Sequence, residues 1–421
     1  MHLLITRRFL PLFITQFLGA FNDNLFKNAL VMLIAFKMAD HTTIAPSILI
    51  IAAGGLFMLP YFLFSATAGQ LADKFDKARL ARITKLWEII VVGLGAIGFI
   101  GHHPMFLLAV LFALGVQATF FGPVKYALLP QHLQESELVP GNAMIEAATF
   151  LAILLGTIVG GVLVMQENAE WNIVMATLAV ALAGYAASWC IPKAPSMAPH
   201  LQVDANIFRA TWRIVQHDRK NIRVFRAILG ISWLWVLGAV YLSQFPTMAK
   251  DIFGGDESVV TLFLTMFSLG VGVGSMLSSK LTRGLIDSRF TPHAAFGMAI
   301  FSFDLALACM GVAPLHNTPL GVSGFLDAWG NIRVLFDLFM IALSGGVFVV
   351  PLYAIMQHDS DADSRARTVA TTNIVNAFFM VLSAIATALL VAVGYGFVHI
   401  AFTMAACSLL IGLYARKIRK S

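Results

Sequence analysis

Charge is scarce in this chain. Only 12% of its 421 residues are Asp, Glu, Lys or Arg, about half the share near 25% of an ordinary soluble domain. With 59% hydrophobic residues and a mean hydropathy of +0.82, that shortage excludes a soluble domain and leaves a polytopic membrane protein. Cysteine is rarer still. Cys190, Cys309 and Cys407 all fall inside apolar segments, so neither a disulfide framework nor a metal cluster is expected. No Gly-x-x-x-x-Gly-Lys-(Ser/Thr) phosphate loop occurs, which argues against ATP hydrolysis. The first apolar stretch is too long for a cleavable signal peptide and lacks a small-residue cleavage site.

Apolar runs, by contrast, are abundant. A window of about 20 residues, the length that crosses a bilayer, gives twelve spans. The first six are Phe9–Phe36, Ala45–Gly69, Leu80–Ile100, Met105–Phe121, Asn142–Val164 and Trp171–Ile191. The second six are Ala227–Phe245, Val259–Ser279, His293–Val312, Val334–Tyr353, Thr368–Val393 and Tyr395–Tyr414, the last pair parted only by a turn at Gly394. The expected fold is all-α and membrane-integral, in two six-helix halves: residues 1–191 and 227–421, joined by a cytoplasmic linker at 192–226. Within that linker, Ala210 to Val224 mixes apolar and basic residues, as an amphipathic helix on an anionic leaflet or a plain linker helix would.

Lys and Arg set the orientation. All but four of the 28 fall in alternate loops or the terminal segments, which places both termini in the cytoplasm. The exceptions are Lys37, Lys250 and Arg333 on the opposite side and Lys27 within a span. The net charge of +6 is thus topogenic and calls for no nucleic-acid partner. The halves also echo one another: Pro123-Val-Lys-Tyr-Ala-Leu-Leu-Pro-Gln-His132 resembles Pro351-Leu-Tyr-Ala-Ile-Met-Gln-His358. A polar-headed helix follows each, opening with Asn142 and Glu146 in one half and Asn373 and Asn376 in the other. Duplicated halves are a mark of transporters that rock about a central site.

The sharpest pointer to such a site lies in the first span, Gln16-Phe-Leu-Gly-Ala-Phe-Asn-Asp-Asn-Leu-Phe-Lys-Asn28. On a helical wheel Gln16, Asp23 and Lys27 fall within about 40° of one another, with Asn24 and Asn28 widening the stripe. Leu25, Leu30 and Leu33 lie largely outside it. Charges at membrane depth cost at least a few kcal/mol each, so they face protein or a watery cavity. Asp23 is expected near the midplane as a substrate or ion site. Lys27 fits equally a site, an internal partner of Asp23, or a side chain reaching for the interface. Lys125, beside Gly122-Pro123, and Glu146 are further candidates. Glu88 reads as a partner of Lys85 three residues earlier, and Asp304 and Asp337 as helix-to-helix hydrogen-bonding groups. The glycines of spans five (Gly156, Gly160, Gly161) and eight (Gly270, Gly272, Gly274) suit close helix approach.

Between spans two and three stands Gly69-Gln-Leu-Ala-Asp73-Lys74-Phe-Asp76-Lys77. It resembles the major facilitator loop Gly-x-x-x-Asp-(Arg/Lys)-x-Gly-(Arg/Lys), with Asp76 where glycine is usual. Asp73 can accept from a neighbouring helix N-terminus and from basic residues, so Gly69, Asp73, Lys74 and Lys77 are candidates for a conformational latch. Further motifs are Asn22-Asp-Asn24, Gly122-Pro-Val-Lys-Tyr126, Ser232 to Pro246 and Arg365 to Met380. By these the chain is similar to the bacterial lysophospholipid transporter family, including the transporter portion fused to an acyl-glycerophosphoethanolamine acyltransferase and an acyl-carrier-protein synthetase.

That resemblance implies movement of lysophosphatidylethanolamine-like lipids across the inner membrane to the cytoplasmic leaflet, where an acyltransferase reacylates them. It implies membrane lipids, a cytosolic acyltransferase and an acyl-carrier-protein synthetase as partners. It also assigns Asp23, Lys125, Asn142, Glu146, Asn373 and Asn376 to the family's polar positions. The basic residue that members often carry in span seven is missing from Gly238-Ala-Val-Tyr241. No nucleophile–base set or metal cluster is visible, so no enzyme activity is expected. No resident cofactor is expected either, although a coupling cation, sodium or a proton, is compatible with the embedded carboxylates. The alternatives are a proton-coupled exporter of drugs or small metabolites, and a scaffold for a soluble acyltransferase.

Overall fold

The structure is a computed structural model that describes residues 2–36, 44–310, 312 and 320–419; Lys37 and Lys420, placed above by their charge, lie outside the described residues. Lipid offers no hydrogen bonds, so each span must satisfy its backbone internally, and helix is the solution for this composition. In chain order the helices are α1 (Leu10–Phe36), α2 (Pro46–Lys74), α3 (Lys77–Ile100), α4 (Pro104–His132), α5 (Glu135–Val164), α6 (Ala169–Trp189) and α7 (Ile207–Lys220). They continue as α8 (Ile222–Thr247), α9 (Glu257–Leu281), α10 (Thr291–Met310), the short α11 (Val322–Leu326), α12 (Trp329–Asp359), α13 (Arg365–Ala392) and α14 (Phe397–Arg419).

Eleven helices among the described residues are long and apolar enough to cross a membrane. The twelfth, α1, has 27 residues, enough for about 40 Å of rise, and its polar stripe is what sets it apart in composition. Twelve-span, all-α architecture is therefore what the chain adopts. Its helix bounds are wider than the apolar runs. The apolar run of span four ends at Phe121, before Gly122-Pro123, yet α4 runs on through Pro123 and Pro130 to His132. Likewise α5 begins seven residues before Asn142 and contains Pro140, and α12 passes through Pro351 to Asp359. Membrane helices tolerate such prolines because neighbouring groups re-satisfy the freed carbonyls. Gly394, at φ +89°, does make the turn between α13 and α14, a conformation glycine adopts without strain.

The Cα positions cluster into two compact units. One comprises the residues up to Glu135, Ala152–Asn221 and Gln357–Ala377; the other comprises Ser136–Leu151, Ile222–Met356 and the residues from Phe378. The core of the first is built from α1 to α6. Leu25, Leu30 and Leu33, the leucines outside the polar stripe, are fully buried there with Phe26, Phe57 and Phe99. Gly156 and Gly160 bring α5 onto α1 so closely that a Cβ at Gly160 would sit 2.7 Å from the Leu25 carbonyl oxygen. In the second unit Gly270 and Gly274 bring α9 onto Phe339 and Leu343 of α12, while Gly272 meets nothing nearer than 3.9 Å. Glycine spacing therefore marks contact faces in both units.

The linker contains α7. Asn206 caps it by accepting from the Arg209 amide at 3.0 Å. Ala210, Ile214 and Asp218, four residues apart, are buried on one face, and Phe208 and Trp212 are exposed on the other. Ala210 and Ile214 pack with Ala66 of α2 and with Ala370 and Ile374 of α13, all within the first unit.

Candidate functional site

The polar stripe of α1 divides between two environments. Asn22 and Gln16 are buried, whereas Asp23, Asn24, Lys27 and Asn28 are half-buried. Asn24 donates to the Ala20 carbonyl of its own helix at 2.8 Å, and Asn28 donates across to the Thr157 carbonyl of α5 at 2.7 Å. Asp23 and Lys27 form no ion pair within 4 Å among the described residues; the Lys27 ammonium lies over the Phe57 ring, 5.7 Å from its centroid. Asp23 Oδ1 completes no hydrogen bond. Glu88, Lys85, Lys27 and Lys125 all lie within electrostatic range of it.

Behind this stripe sits a closed network of the same unit. Lys85 and Glu88, each about 1% exposed, pair one turn apart on α3 at 2.5 Å. Asn22 of α1 donates to Glu88 Oε1 at 2.9 Å and Gln117 of α4 to Oε2 at 3.3 Å. The Lys85 ammonium also lies 5.2 Å from the Phe121 ring centroid. A buried pair recovers its desolvation cost only when further hydrogen bonds satisfy the remaining lone pairs, and this one has them. Glu88 thus serves the cohesion of α1, α3 and α4, as its spacing from Lys85 implied. Asn22 and Gln117 complete that network, and nothing in the sequence singles out these two amides from the others on α1 and α4.

The other candidates separate. Lys125 of α4 is half-buried, its ammonium 4.7 Å from the Tyr126 ring centroid. Asn373 and Asn376 of α13 belong to the same unit as Asp23. Asn373 Nδ2 lies against Gly122, where a Cβ would come within 3.0 Å of it. Asn142 and Glu146 are fully buried on the part of α5 that belongs to the second unit, Asn142 donating to the Leu138 carbonyl at 2.8 Å. Tyr241, in the stretch of α8 that carries no base, is fully buried.

The loop motif forms a tight junction with the start of α13. Asp73, fully buried, accepts from the Ala366 amide at 2.9 Å, from the Arg367 amide at 3.2 Å and from Arg367 Nε at 3.0 Å. It thereby caps α13 at the positive end of the helix dipole. Gly69, one turn earlier, permits the approach: a Cβ there would stand 2.7 Å from Ala370 Cβ and 2.9 Å from the Ala366 carbonyl oxygen. Lys77 is buried with no hydrogen bond to its ammonium, close to Asp73 and Asp76, and Lys74 is half-buried over Phe75. Asp76, in the place of the usual glycine, caps α3 by accepting from the Arg79 amide at 2.8 Å and holds the Ala194 amide at 3.0 Å.

Sequence reasoning missed how far this junction extends into the linker. Gln70 accepts from the Asp204 amide at 2.8 Å. Asp218 of α7 accepts from Thr368 at 2.9 Å and from Thr371 at 2.5 Å, both on α13. Burial pushes the Asp218 carboxyl up, against the two threonine hydroxyls that favour its charge. Asp204, held chiefly by the Arg209 guanidinium, falls to about 2. Neither aspartate is marked by a motif. No group of three or more His, Cys, Asp or Glu among the described residues could hold a metal.

Comparison with known proteins agrees with this architecture. The Major Facilitator Superfamily model matches residues 12–384. Lysophospholipid transporters LplT of Salmonella paratyphi B and Salmonella heidelberg are 27% and 26% identical over 366 residues, 83% of this chain and 79% of theirs. Among solved structures, the human organic anion transporter MFSD10 aligns with a TM-score of 0.74 at 13% identity, over 97% of this chain and 99% of that one. A bacterial homologue of the iron transporter ferroportin, in an outward-facing state, aligns at 0.69 and 15% over 97% and 100%. Such identities speak for the fold alone. The chain is a multi-pass membrane transporter, not an enzyme: it belongs to the Major Facilitator Superfamily and within it resembles the lysophospholipid transporters.

Proposed function

We propose that this protein moves lysophospholipids with a phosphoethanolamine-like headgroup across the bacterial inner membrane to the cytoplasmic leaflet. The observation that carries this reading is the half-buried, unpaired Asp23 on α1, with Lys27 and Lys125 in electrostatic range. It occurs in a chain similar over 83% of its length to transporters named for lysophospholipids. A zwitterionic headgroup needs both signs of charge. Asp23 meets the ammonium, or a coupling cation when no lipid is bound, and Lys125 meets the phosphate. Asn24, Lys27 and Asn28 add half-buried polar groups beside Asp23, and Gln16, Asn373 and Asn376 are further polar candidates of the same unit; Asn142 and Glu146 are separate, buried candidates within the second unit. The single acyl chain stays against apolar helix faces, where burial is worth about 0.8 kcal/mol per methylene.

Transport proceeds by alternating exposure of this surface to the two sides, with Gly69, Asp73, Lys74 and Lys77 latching one state through the start of α13. Residues 1–191 and 227–421 are the two moving halves. Both termini are cytoplasmic, and a cytosolic acyltransferase with its acyl-carrier-protein synthetase consumes the delivered lipid. The test is movement of lysophosphatidylethanolamine in proteoliposomes of the parent, Asp23→Asn and Lys125→Ala, with a sodium or pH gradient applied in turn. Each substitution should slow movement at least tenfold. Parent-like rates in correctly inserted variants would remove these roles. Competition by drugs or small metabolites but not by lysolipid would favour an exporter, and activity only with the acyltransferase present would favour a scaffold.

A further inference from the structure

In the second unit, α10 and α12 bring three ionisable groups together. Arg333, four residues into α12, makes a two-pronged pair with Asp304 of α10, Nε donating to Oδ2 at 3.0 Å and Nη2 to Oδ1. Both side chains are partly exposed. Asp337, one turn further along α12, is different. It is 0% exposed, and neither of its oxygens meets a hydrogen-bond donor. The group its carboxyl does touch is the Asp304 carboxyl. Tyr241 of α8 and Ser302 of α10 lie beside one another in this cluster, both fully buried, and neither hydroxyl oxygen completes a hydrogen bond. Cys309 of α10 is a further titratable neighbour among the described residues.

Two carboxylates in contact have only acceptors to offer each other. Like charges at that distance cannot both ionise unless something positive lies between them. The single guanidinium is already committed to Asp304, so the trio as it stands carries one negative charge too many. An ionised, donor-free carboxylate inside a membrane span costs several kcal/mol. One proton removes the conflict: an Asp337 O–H donates to Asp304, and Asp304 keeps its pair with Arg333. Sodium would meet the repulsion of the guanidinium beside the site.

We propose that Asp337 is a proton-binding site, occupied by a proton donated to Asp304 in this state and exchanging with water at the membrane edge through the exposed Asp304–Arg333 pair. When the proton leaves, Arg333, one turn away on the same helix, is the partner that Asp337 can claim from Asp304. The exchange therefore pulls α12 against α10. This holds whichever solute the chain carries.

Infrared difference spectra of the purified full-length protein, taken between low and high pH, test it. The parent should show the carbonyl band of one protonated carboxyl group that Asp337→Asn lacks. Asp337→Glu should restore a shifted band. The same band in parent and Asp337→Asn would overturn the proposal. So would a band that sodium abolishes at constant pH, which would make the site a cation site. Should Asp337→Asn fail to fold, Asp304→Asn replaces the proton's acceptor by an amide and must shift the band. An unshifted band in that variant would equally overturn it.

Discussion

Replacing Gly69 by alanine sets two effects of known sign against each other. A helix-interior glycine costs about 0.5–1 kcal/mol relative to alanine, so the substitution should stabilise α2 unless space forbids it. At Gly54 and Gly55 of the same helix a Cβ meets nothing within 4 Å. Gly54→Ala should therefore stabilise the protein by about that amount. At Gly69 the new Cβ would stand 2.7 Å from Ala370 Cβ, 2.9 Å from the Ala366 carbonyl oxygen and 2.9 Å from Arg367 Cα. Two of these three atoms are backbone, so no rotamer change can relieve the clash and α13 must retreat. Overpacking of that kind costs about 1–3 kcal/mol, which leaves a net loss of up to about 2.5 kcal/mol. The retreat also moves the Ala366 and Arg367 amides away from Asp73, so Asp73→Asn should cost much less in the Gly69→Ala background than alone. Equilibrium unfolding in mixed micelles, followed by tryptophan fluorescence, measures the three single variants and the double. Equal stability of Gly69→Ala and Gly54→Ala would refute the reasoning, as would additive losses for the Gly69 and Asp73 changes.

Three further expectations rest on separate contacts. Lys85→Met or Glu88→Leu alone strands a buried charge and should cost about 3–5 kcal/mol, whereas the double change should lie close to the parent; the same unfolding assay separates these outcomes. Asp218, raised above its ordinary value of 3.8 by burial, makes the folded state the stronger proton binder. Its contribution to stability is thus complete below pH 3.8 and declines as pH rises through the folded value. Asp218→Asn should flatten that decline, and an unchanged slope between pH 4 and neutrality (about 7) would refute it. Finally, a membrane-impermeant maleimide should label exposed Cys190 in detergent well before buried Cys309, and equal rates would contradict the packing of α10.

How much of this was legible beforehand follows from where the signal resides. Spans read well because twenty apolar residues have one physical meaning in lipid, so α2, α3 and α6 appear where composition put them. Helix bounds read poorly wherever proline intervened. Pro123, Pro130 and Pro351 look like stops in water, yet α4 and α12 pass through them. Gly69 and Asp73 were recognisable because one motif holds both the small residue that allows approach and the acid that caps. Its partner segment, Ala366-Arg367, lies some 290 residues away and carries no cue that it begins against α2. Asp218, Thr368 and Thr371 were invisible for the same reason, since a buried acid in a polar linker is indistinguishable from a solvated one until its neighbours are known.

The embedded charges show why charge at membrane depth is an incomplete guide by itself. Glu88 is fully paired: Lys85, Asn22 and Gln117 occupy its oxygens, and nothing further can bind without breaking the network. Asp304 is likewise committed to Arg333. Asp23 and Asp337 differ in lacking donors. They also differ from one another, because Asp23 keeps accessible surface while Asp337 has none. A donor-free acid with access can receive a headgroup or hydrated cation; a donor-free acid without access can receive only a proton. Substituting each by asparagine should therefore give different phenotypes. Asp23→Asn should weaken lipid binding at every pH, whereas Asp337→Asn should leave binding intact and remove the dependence of transport on pH. Lysolipid affinity and transport rate, measured between about pH 5 and 8, distinguish the two, and matching profiles for the two variants would show that accessibility does not divide their roles.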